Sequence, residues 1–125
     1  MDLDGKNRHR LTRGTQDDCL QPTWSPDGNT IIFSQRQPGQ VGSAWLSIVR
    51  YTASDGDIPL PVLQDSNWPM AEPNFSPDGF WLVFRSWPDG ANHHIYYTTM
   101  NGVGLQQVTH GEFIDFDPVW RPTIR

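Results

Sequence analysis

The sequence predicts an all-β protein built from a repeated unit of four short antiparallel strands. The first observation is its composition, because the 125 residues include eleven Gly, eleven Pro and six Trp, and only 18% of them are charged. Such a mixture favours strands and tight turns over helices. The second observation is a motif that recurs three times. The third is an apolar run that follows the first two copies at the same spacing, which indicates a fold assembled from similar units.

The recurring motif joins a Pro-x-aromatic step to a Ser-Pro-Asp-Gly turn. Its copies occupy residues 21–28, 72–79 and, in altered form, 117–122. The first prolines of the three copies lie 51 and then 45 residues apart: Pro22, Pro73 and Pro118. A period of about 45 to 50 residues with several short strands per unit is typical of β-propeller blades.

Each unit divides into four predicted strands. Ser-Pro-Asp-Gly favours a type I turn between strands one and two. Because Pro cannot donate a ladder hydrogen bond, the first strand should be a sheet edge. Asp55-Gly56 and Asn101-Gly102 predict type I′ turns between strands three and four. The other strands are expected at residues 31–33, 45–49 and 60–63 in one unit, and at 82–84, 95–98 and 105–109 in the next.

The chain accordingly divides into two complete blades and two partial ones. We expect residues 1–20 to end a preceding blade, 21–71 and 72–116 to form the complete blades, and 117–125 to begin a following one. Repeat units bury their apolar faces against their neighbours, so such a segment leaves a face uncovered at each end. We therefore expect a part of a larger propeller, which self-associates when isolated.

The repeats resemble the TolB-type, WD-repeat-like β-propeller repeat family. The matching positions are Trp24 and Phe75 before the turns, Phe33 and Phe84 in second strands, Ile95-Tyr96 in a third strand, and Asp4-Gly5 with Leu11-Thr12 upstream. The sequence departs from the family at 121–124, where Arg-Pro-Thr-Ile replaces Ser-Pro-Asp-Gly, and it carries extra residues around 49–54. The resemblance implies a propeller that acts as a scaffold, in a periplasmic or extracellular setting.

Several classes of function lack their sequence signals. A net charge of −5 without a Lys/Arg run argues against a nucleic-acid partner, and no stretch approaches the roughly 20 apolar residues of a membrane span. A serine hydrolase would need Gly-x-Ser-x-Gly, which does not occur. His93 and His94 should point to opposite faces of a strand, which disfavours joint metal ligation. Asp27 and Asp78 share one turn context and are interpreted as turn residues. The sequence predicts no catalytic residue, cofactor or metal.

The candidate binding residues lie in irregular loops. In an antiparallel blade, the loops from strand two to three and from strand four to the next blade lie at one end. Variable loops on a rigid scaffold commonly carry binding residues. The candidates are Asp17, Asp18, Asp65, Trp68, Trp87, Asp89, Glu112, Phe113, Asp115 and Phe116. Acidic and aromatic side chains suit a basic or mixed protein partner. Alternatively, the acids only solvate the loops and the aromatics fill the blade ends.

Three functions stay open at this point. The leading hypothesis is a non-catalytic, TolB-like scaffold for protein-protein interaction. The second is the propeller portion of a prolyl oligopeptidase-like or tricorn-like peptidase, which would gate substrate access while the chemistry resides elsewhere. The third is a glycan-binding or small-ligand-binding propeller with Trp68 or Trp87 as a stacking platform.

Overall fold

Eight strands form two sheets in a computed structural model of the chain. The structure describes residues 3–6, 8, 10–12, 16–40, 44–50, 58–63 and 68–122. The strands are β1 (Asp18–Trp24), β2 (Thr30–Arg36), β3 (Trp45–Arg50), β4 (Leu60–Val62), β5 (Met70–Phe75), β6 (Trp81–Ser86), β7 (His94–Thr99) and β8 (Gln106–Gln107). Each sheet is antiparallel and keeps sequence order, β1-β2-β3-β4 in the first blade and β5-β6-β7-β8 in the second. The predicted all-β fold of four-stranded blades is confirmed.

The first strand of each blade is an edge strand, as the prolines predict. A register shift interrupts β1 between Leu20 and Thr23, and β5 between Ala71 and Asn74. The interruption falls where Pro22 or Pro73 has no N–H to give to the ladder. The residue before each proline adopts a left-handed conformation, with φ of 55° at Gln21 and 56° at Glu72. Positive φ is uncommon outside glycine, so its recurrence at the same position shows that the two repeat units share this backbone geometry.

The Ser-Pro-Asp-Gly segments form the predicted four-residue turns. The Gly28 N–H donates to the Ser25 carbonyl at 3.0 Å, and the Gly79 N–H to the Ser76 carbonyl at 2.9 Å. The serine hydroxyl donates to the aspartate carboxylate at 2.5 Å in both turns. This bond and a backbone N–H lower the pKa of Asp27 and Asp78. The interpretation of both aspartates as turn residues agrees with this geometry.

The hydrophobic core lies between the two blades. The first blade contributes Ile32 and Leu46, and the second contributes Met70, Phe75, Leu82, Phe84 and Tyr96. Ile32, Leu46 and Leu82 are fully buried. Alternate residues of a strand point to opposite faces, so each blade presents one face to this core and the other outward. The stack of two blades is thus stabilised chiefly by apolar burial.

The prediction of a type I′ turn at Asn101-Gly102 is wrong. Only Gly102 has a positive φ, of 85°, whereas a type I′ turn needs positive φ at both central residues. The connection between β7 and β8 is six residues long, so it closes instead through a bond from the Gly102 N–H to the Thr99 carbonyl at 3.0 Å. Asp55-Gly56 lies outside the described residues.

The third copy of the motif docks on the second blade. The Asp117 N–H donates to Glu72 Oε2 at 2.5 Å, and Trp120 Nε1 donates to the Asn74 carbonyl at 3.1 Å. No strand is assigned across residues 117–122. The part of the chain that the structure describes contains no helix that is long and apolar enough to cross a membrane.

Candidate functional site

One end of the blades carries the irregular connections. It holds the β2–β3, β4–β5 and β6–β7 loops and the segment that follows β8. The start of β1 lies at the same end, because Asp18 pairs with Arg36 at the end of β2. We call it the loop-bearing end. The opposite end carries the Ser-Pro-Asp-Gly turns and the β7–β8 connection. The rigid scaffold therefore separates a uniform end from a variable one.

The acidic candidates occupy different environments at the loop-bearing end. Asp17 accepts a hydrogen bond from Gln35 Nε2 at 2.8 Å, and Asp18 lies 3.4 Å from Arg36 Nε. Asp89 accepts the backbone N–H groups of Ala91 and Asn92 at 3.0 and 2.8 Å, and these bonds lower the pKa of its carboxyl to about 2. Asp65 lies outside the described residues. At neutral pH, Asp89 is an exposed, fixed negative charge.

The two tryptophan candidates are largely packed into the molecule. Trp87 is only 6% exposed, and its ring stacks on His93 with centroids 4.5 Å apart. The Arg85 guanidinium lies 5.4 Å from the Trp87 ring centroid, within cation–π range. Trp68 is half-buried and meets Tyr96 edge-on at 5.3 Å. Trp87 therefore offers almost no ring surface to a ligand such as a sugar.

The aromatic candidates of the segment after β8 are exposed. We call residues 112–116 the lip. Its apolar members Phe113, Ile114 and Phe116 are 81%, 58% and 62% exposed. The exposed carboxylate of Glu112 borders them. Contiguous exposed apolar side chains on a soluble surface commonly mark interaction sites.

The backbone of the lip is held against β7. The Asp115 N–H donates to the His93 carbonyl at 2.9 Å, and Asp115 Oδ2 lies 3.3 Å from His94 Nδ1. A hydrogen bond with the Thr109 hydroxyl is the main cause that lowers the pKa of the Asp115 carboxyl, and a hydrogen bond with His94 is the second. His94 is buried and turns to the lip, whereas the ring of His93 stacks on Trp87. The lip thus displays its apolar side chains from an anchored backbone.

A chain of polar contacts, which we call the polar belt, links the inner edges of the repeats. Its members are Gln21, Glu72 and Asp117, the residue before proline in each motif, and Asp117 has a positive φ of 52° like the other two. Gln21 Oε1 accepts the Glu72 N–H at 3.2 Å, as Glu72 Oε2 accepts the Asp117 N–H. The second strand of each blade also contacts the acceptor side chain. In the first blade, Ser34 Oγ of β2 lies 2.8 Å from Gln21 Oε1, and in the second blade, Arg85 Nη2 of β6 lies 3.0 Å from Glu72 Oε1.

The sequence reasoning missed the polar belt. A signal was present, because a residue with a side-chain oxygen precedes the repeated proline in every copy. Its three forms, Gln, Glu and Asp, differ in charge and length, and the shared property is an acceptor oxygen. Hydrogen bonds that cross from one blade to the next are not visible in local patterns.

Behind the belt, His93 lies in a seam between the blades. Burial lowers the pKa of its imidazole, and the nearby Arg85 charge lowers it further. The seam also contains Ala44 and Ala71, which pack with Trp87. In the part of the chain that the structure describes, no group of three or more His, Cys, Asp or Glu is arranged to hold a metal ion.

Comparisons with known proteins find curated relatives that are named TolB. Tol-Pal system protein TolB from Francisella tularensis subsp. mediasiatica (strain FSC147) is 27% identical over 111 residues, which cover 86% of this chain. TolB from F. tularensis subsp. holarctica (strain LVS) is equally similar. The chain spans 23% of the length of these curated relatives. No family model matches.

Solved structures share the fold. The crystal structure of TolB from Acinetobacter baumannii aligns with a TM-score of 0.62 and 20% identity, over 81% of this chain and 23% of that one. A putative TolB from Agrobacterium tumefaciens aligns with a TM-score of 0.53 and 16% identity, over 84% of this chain and 50% of that one. The chain is thus similar in sequence to TolB proteins, and it shares the β-propeller fold of the solved TolB structures.

Proposed function

We propose that this chain is a non-catalytic β-propeller scaffold that binds a protein partner through its loop-bearing end. The observation that carries the proposal is the lip. Phe113, Ile114 and Phe116 are exposed, while the contacts of Asp115 with His93 and His94 fix the backbone between them. Aromatic side chains on a fixed backbone anchor a partner well, because little conformational entropy is lost when they are covered.

The charge of this end suits a basic or mixed surface on the partner. Glu112 is an exposed carboxylate of the lip, and Asp89 is an exposed carboxylate of the β6–β7 loop at the same end, whereas the charge of Asp18 is offset by Arg36. Asp17 and Asp65 belong to the same proposed surface by their place in the sequence. Exposed charges of one sign accelerate the approach of an oppositely charged partner, and salt screens this effect. The curated relatives carry the name Tol-Pal system protein, so we propose an assembly of that kind as the setting.

The test uses the soluble domain of the Pal component of a Tol-Pal system as the probe. Its affinity for the full chain is measured by isothermal titration calorimetry at low and high salt. The double variant Phe113→Ala/Phe116→Ala should bind at least about tenfold more weakly, as expected for loss of anchor side chains. Phe80→Ala is the matched control, because Phe80 is 72% exposed at the opposite end of the second blade.

Two results would contradict the proposal. One is an affinity that the double lip variant leaves unchanged. The other is an equal loss in the double variant and in Phe80→Ala, which would place binding outside the loop-bearing end. An affinity that is the same at low and high salt would contradict the electrostatic part alone.

A further inference from the structure

A small polar pocket lies in the seam between the two blades, and we call it the seam pocket. Its volume is about 100 Å³. This is well above the roughly 10 to 15 Å³ that a single water molecule needs, so a ligand of several atoms can enter. The polar lining consists of Gln21, Ser34 and Arg36 from the first blade, and of Arg85 and His93 from the second.

Two nitrogen atoms of this lining are buried without a hydrogen-bond partner among the described residues. They are Nε of Arg85 and Nδ1 of His93. Another nitrogen of Arg85 is engaged, because its Nη2 lies 3.0 Å from Glu72 Oε1. A buried polar group without a partner is costly, and more so when it is charged. Nε always donates, and Nδ1 donates in one tautomer and in the protonated ring, so both can serve one acceptor group.

Trp87 holds both side chains in position. Its ring stacks on His93 with centroids 4.5 Å apart, and the Arg85 guanidinium lies 5.4 Å from the Trp87 centroid. Trp87 is itself packed against Ala44 and Ala71. Polar groups that are fixed before a ligand arrives lose little conformational entropy when they bind it.

The charge that acts most strongly on His93 is that of Arg85. After burial, this charge is the next largest cause that lowers the pKa of the imidazole below its ordinary value of 6.5. The ring is therefore neutral at pH 7, and the guanidinium beside it attracts a negative ligand. The other charged groups that act on His93 are Glu72, Asp89 and His94.

A carboxylate matches this lining in shape and in hydrogen bonding. Its oxygens only accept, and a guanidinium presents donors in a planar fork that fits a carboxylate. Gln21 and Ser34 already bond each other at 2.8 Å, so recognition rests on the unpartnered nitrogens. Arg36 adds a second guanidinium to the lining. The apolar part of the lining, which includes Leu20, suits a short carbon stem.

We propose that the seam pocket binds a carboxylate group, with one oxygen accepting from Arg85 Nε and the other from His93 Nδ1. The carboxylate belongs to a small free ligand or to the end of a peptide chain. It enters beside Leu20 and Gln21, which are exposed. The site is separate from the lip, so the proposal goes beyond partner binding and does not depend on it.

Acetate is the probe, and the ¹⁵N-labelled full chain is observed by NMR in a buffer without other carboxylates. We expect saturable shifts of the Arg85 Nε–H signal and of the His93 ring. Saturating acetate should also raise the pKa of His93, because a negative charge nearby favours the protonated ring. Acetamide, which has a similar shape without the charge, and sodium chloride at equal ionic strength should produce neither effect.

Two variants each remove one of the donors. His93→Phe keeps a ring against Trp87 and leaves the contact of Arg85 with Glu72 in place, whereas Arg85→Lys keeps the charge but lacks Nε–H. Each should weaken acetate binding by about tenfold, as expected for one hydrogen bond to a charged group. His93→Phe decides the test if Arg85→Lys does not fold. His110→Phe is the matched control, because His110 is exposed outside the pocket, and it should bind like the parent chain.

A second pair of probes identifies the source of the carboxylate. N-acetyltriglycine ends in a carboxylate, and its C-terminal amide does not. If the acid binds at least about tenfold more tightly than acetate and the amide does not bind, the pocket receives a peptide end. If the acid binds no more tightly than acetate, the pocket receives a small free carboxylate.

Four results would overturn the proposal. They are the absence of saturable shifts with acetate, equal shifts with acetamide, an acetate affinity that His93→Phe leaves unchanged, and an equal loss of affinity in His110→Phe. The first would mean that Arg85 and His93 are satisfied by water, and the last would place the binding outside the seam pocket. None of these results bears on the lip.

Discussion

Glu72 Oε2 accepts the backbone N–H of Asp117 at 2.5 Å, one repeat after Gln21 Oε1 accepts the backbone N–H of Glu72. The donor in each contact is the main chain of a later unit, and the acceptor is a side chain of the preceding unit. Arg85 holds the Glu72 carboxylate from the opposite side, at 3.0 Å. The inner edges of successive repeats are therefore joined by one recurring hydrogen bond.

Removal of the Glu72 carboxylate should destabilise the fold. Glu72→Ala leaves the Asp117 N–H and Arg85 without this acceptor, and we expect a loss of about 1 to 3 kcal/mol in the free energy of unfolding. Glu72→Gln keeps an acceptor oxygen for Asp117 and should lose less. Urea denaturation measures both variants. Equal stabilities of Glu72→Ala and the parent chain would show that the polar belt contributes nothing.

Gly79 should resist substitution for a backbone reason. Its φ is 77°, and a Cβ there would meet only the Pro26 ring, at ordinary contact distances of 3.7 Å to Cδ and 3.8 Å to Cγ. The expected loss for Gly79→Ala is about 1 to 2 kcal/mol, which comes from the left-handed conformation and not from crowding. Gly79→Asn should be milder, because Asn tolerates this conformation. An alanine variant as stable as the parent in urea would refute this explanation.

Two phenylalanines of the second blade should differ sharply in their effect on stability. Phe84 is 1% exposed in the core between the blades, and Phe84→Ala should lose about 3 to 5 kcal/mol through lost burial and a cavity. Phe80 is 72% exposed, so Phe80→Ala should remain within about 0.5 kcal/mol of the parent chain. Thermal and urea unfolding compare the pair. Similar losses in both variants would mean that the interface between the blades is not the main core.

The stability of the fold should fall as His93 becomes protonated. Its folded-state pKa lies below the ordinary value of 6.5, first because of burial and then because of Arg85. The unfolded chain therefore binds the proton more readily, so the stabilisation present above 6.5 is lost as pH falls through the folded-state pKa. His93→Gln should flatten this dependence. An NMR titration of the His93 ring with a midpoint at or above 6.5 would contradict the prediction.

Local features of the fold were predictable from sequence, whereas contacts between repeats were not. The turn at Ser76 needs only residues that lie within four positions of one another, so its sequence is sufficient. The edge position of β5 follows from Pro73 alone. The connection at Asn101 was mispredicted because the dipeptide does not report the length of the loop that contains it.

In the candidate site, too, local position was predictable from sequence and contacts in space were not. Loop position placed Trp87 and Phe113 in one group, yet Trp87 is 6% and Phe113 is 81% exposed. Burial of Trp87 depends on His93 and Arg85, which approach it through the fold of the sheet. A sequence pattern identifies a loop, but the neighbours of a loop residue in space decide whether its side chain is accessible.

The hydrogen bonds of the polar belt run in one direction along the array of repeats, from a main-chain donor to an acceptor in the preceding unit. One repeat could therefore in principle take the place of another. The unit of Glu72 supplies its main-chain N–H to the unit before it and its side-chain carboxylate to the unit after it. A duplicated unit would thus join the array without any new recognition chemistry at its inner edge. Gene duplication could lengthen such an array by whole units, whereas loss of part of a unit would leave a donor or an acceptor unmatched.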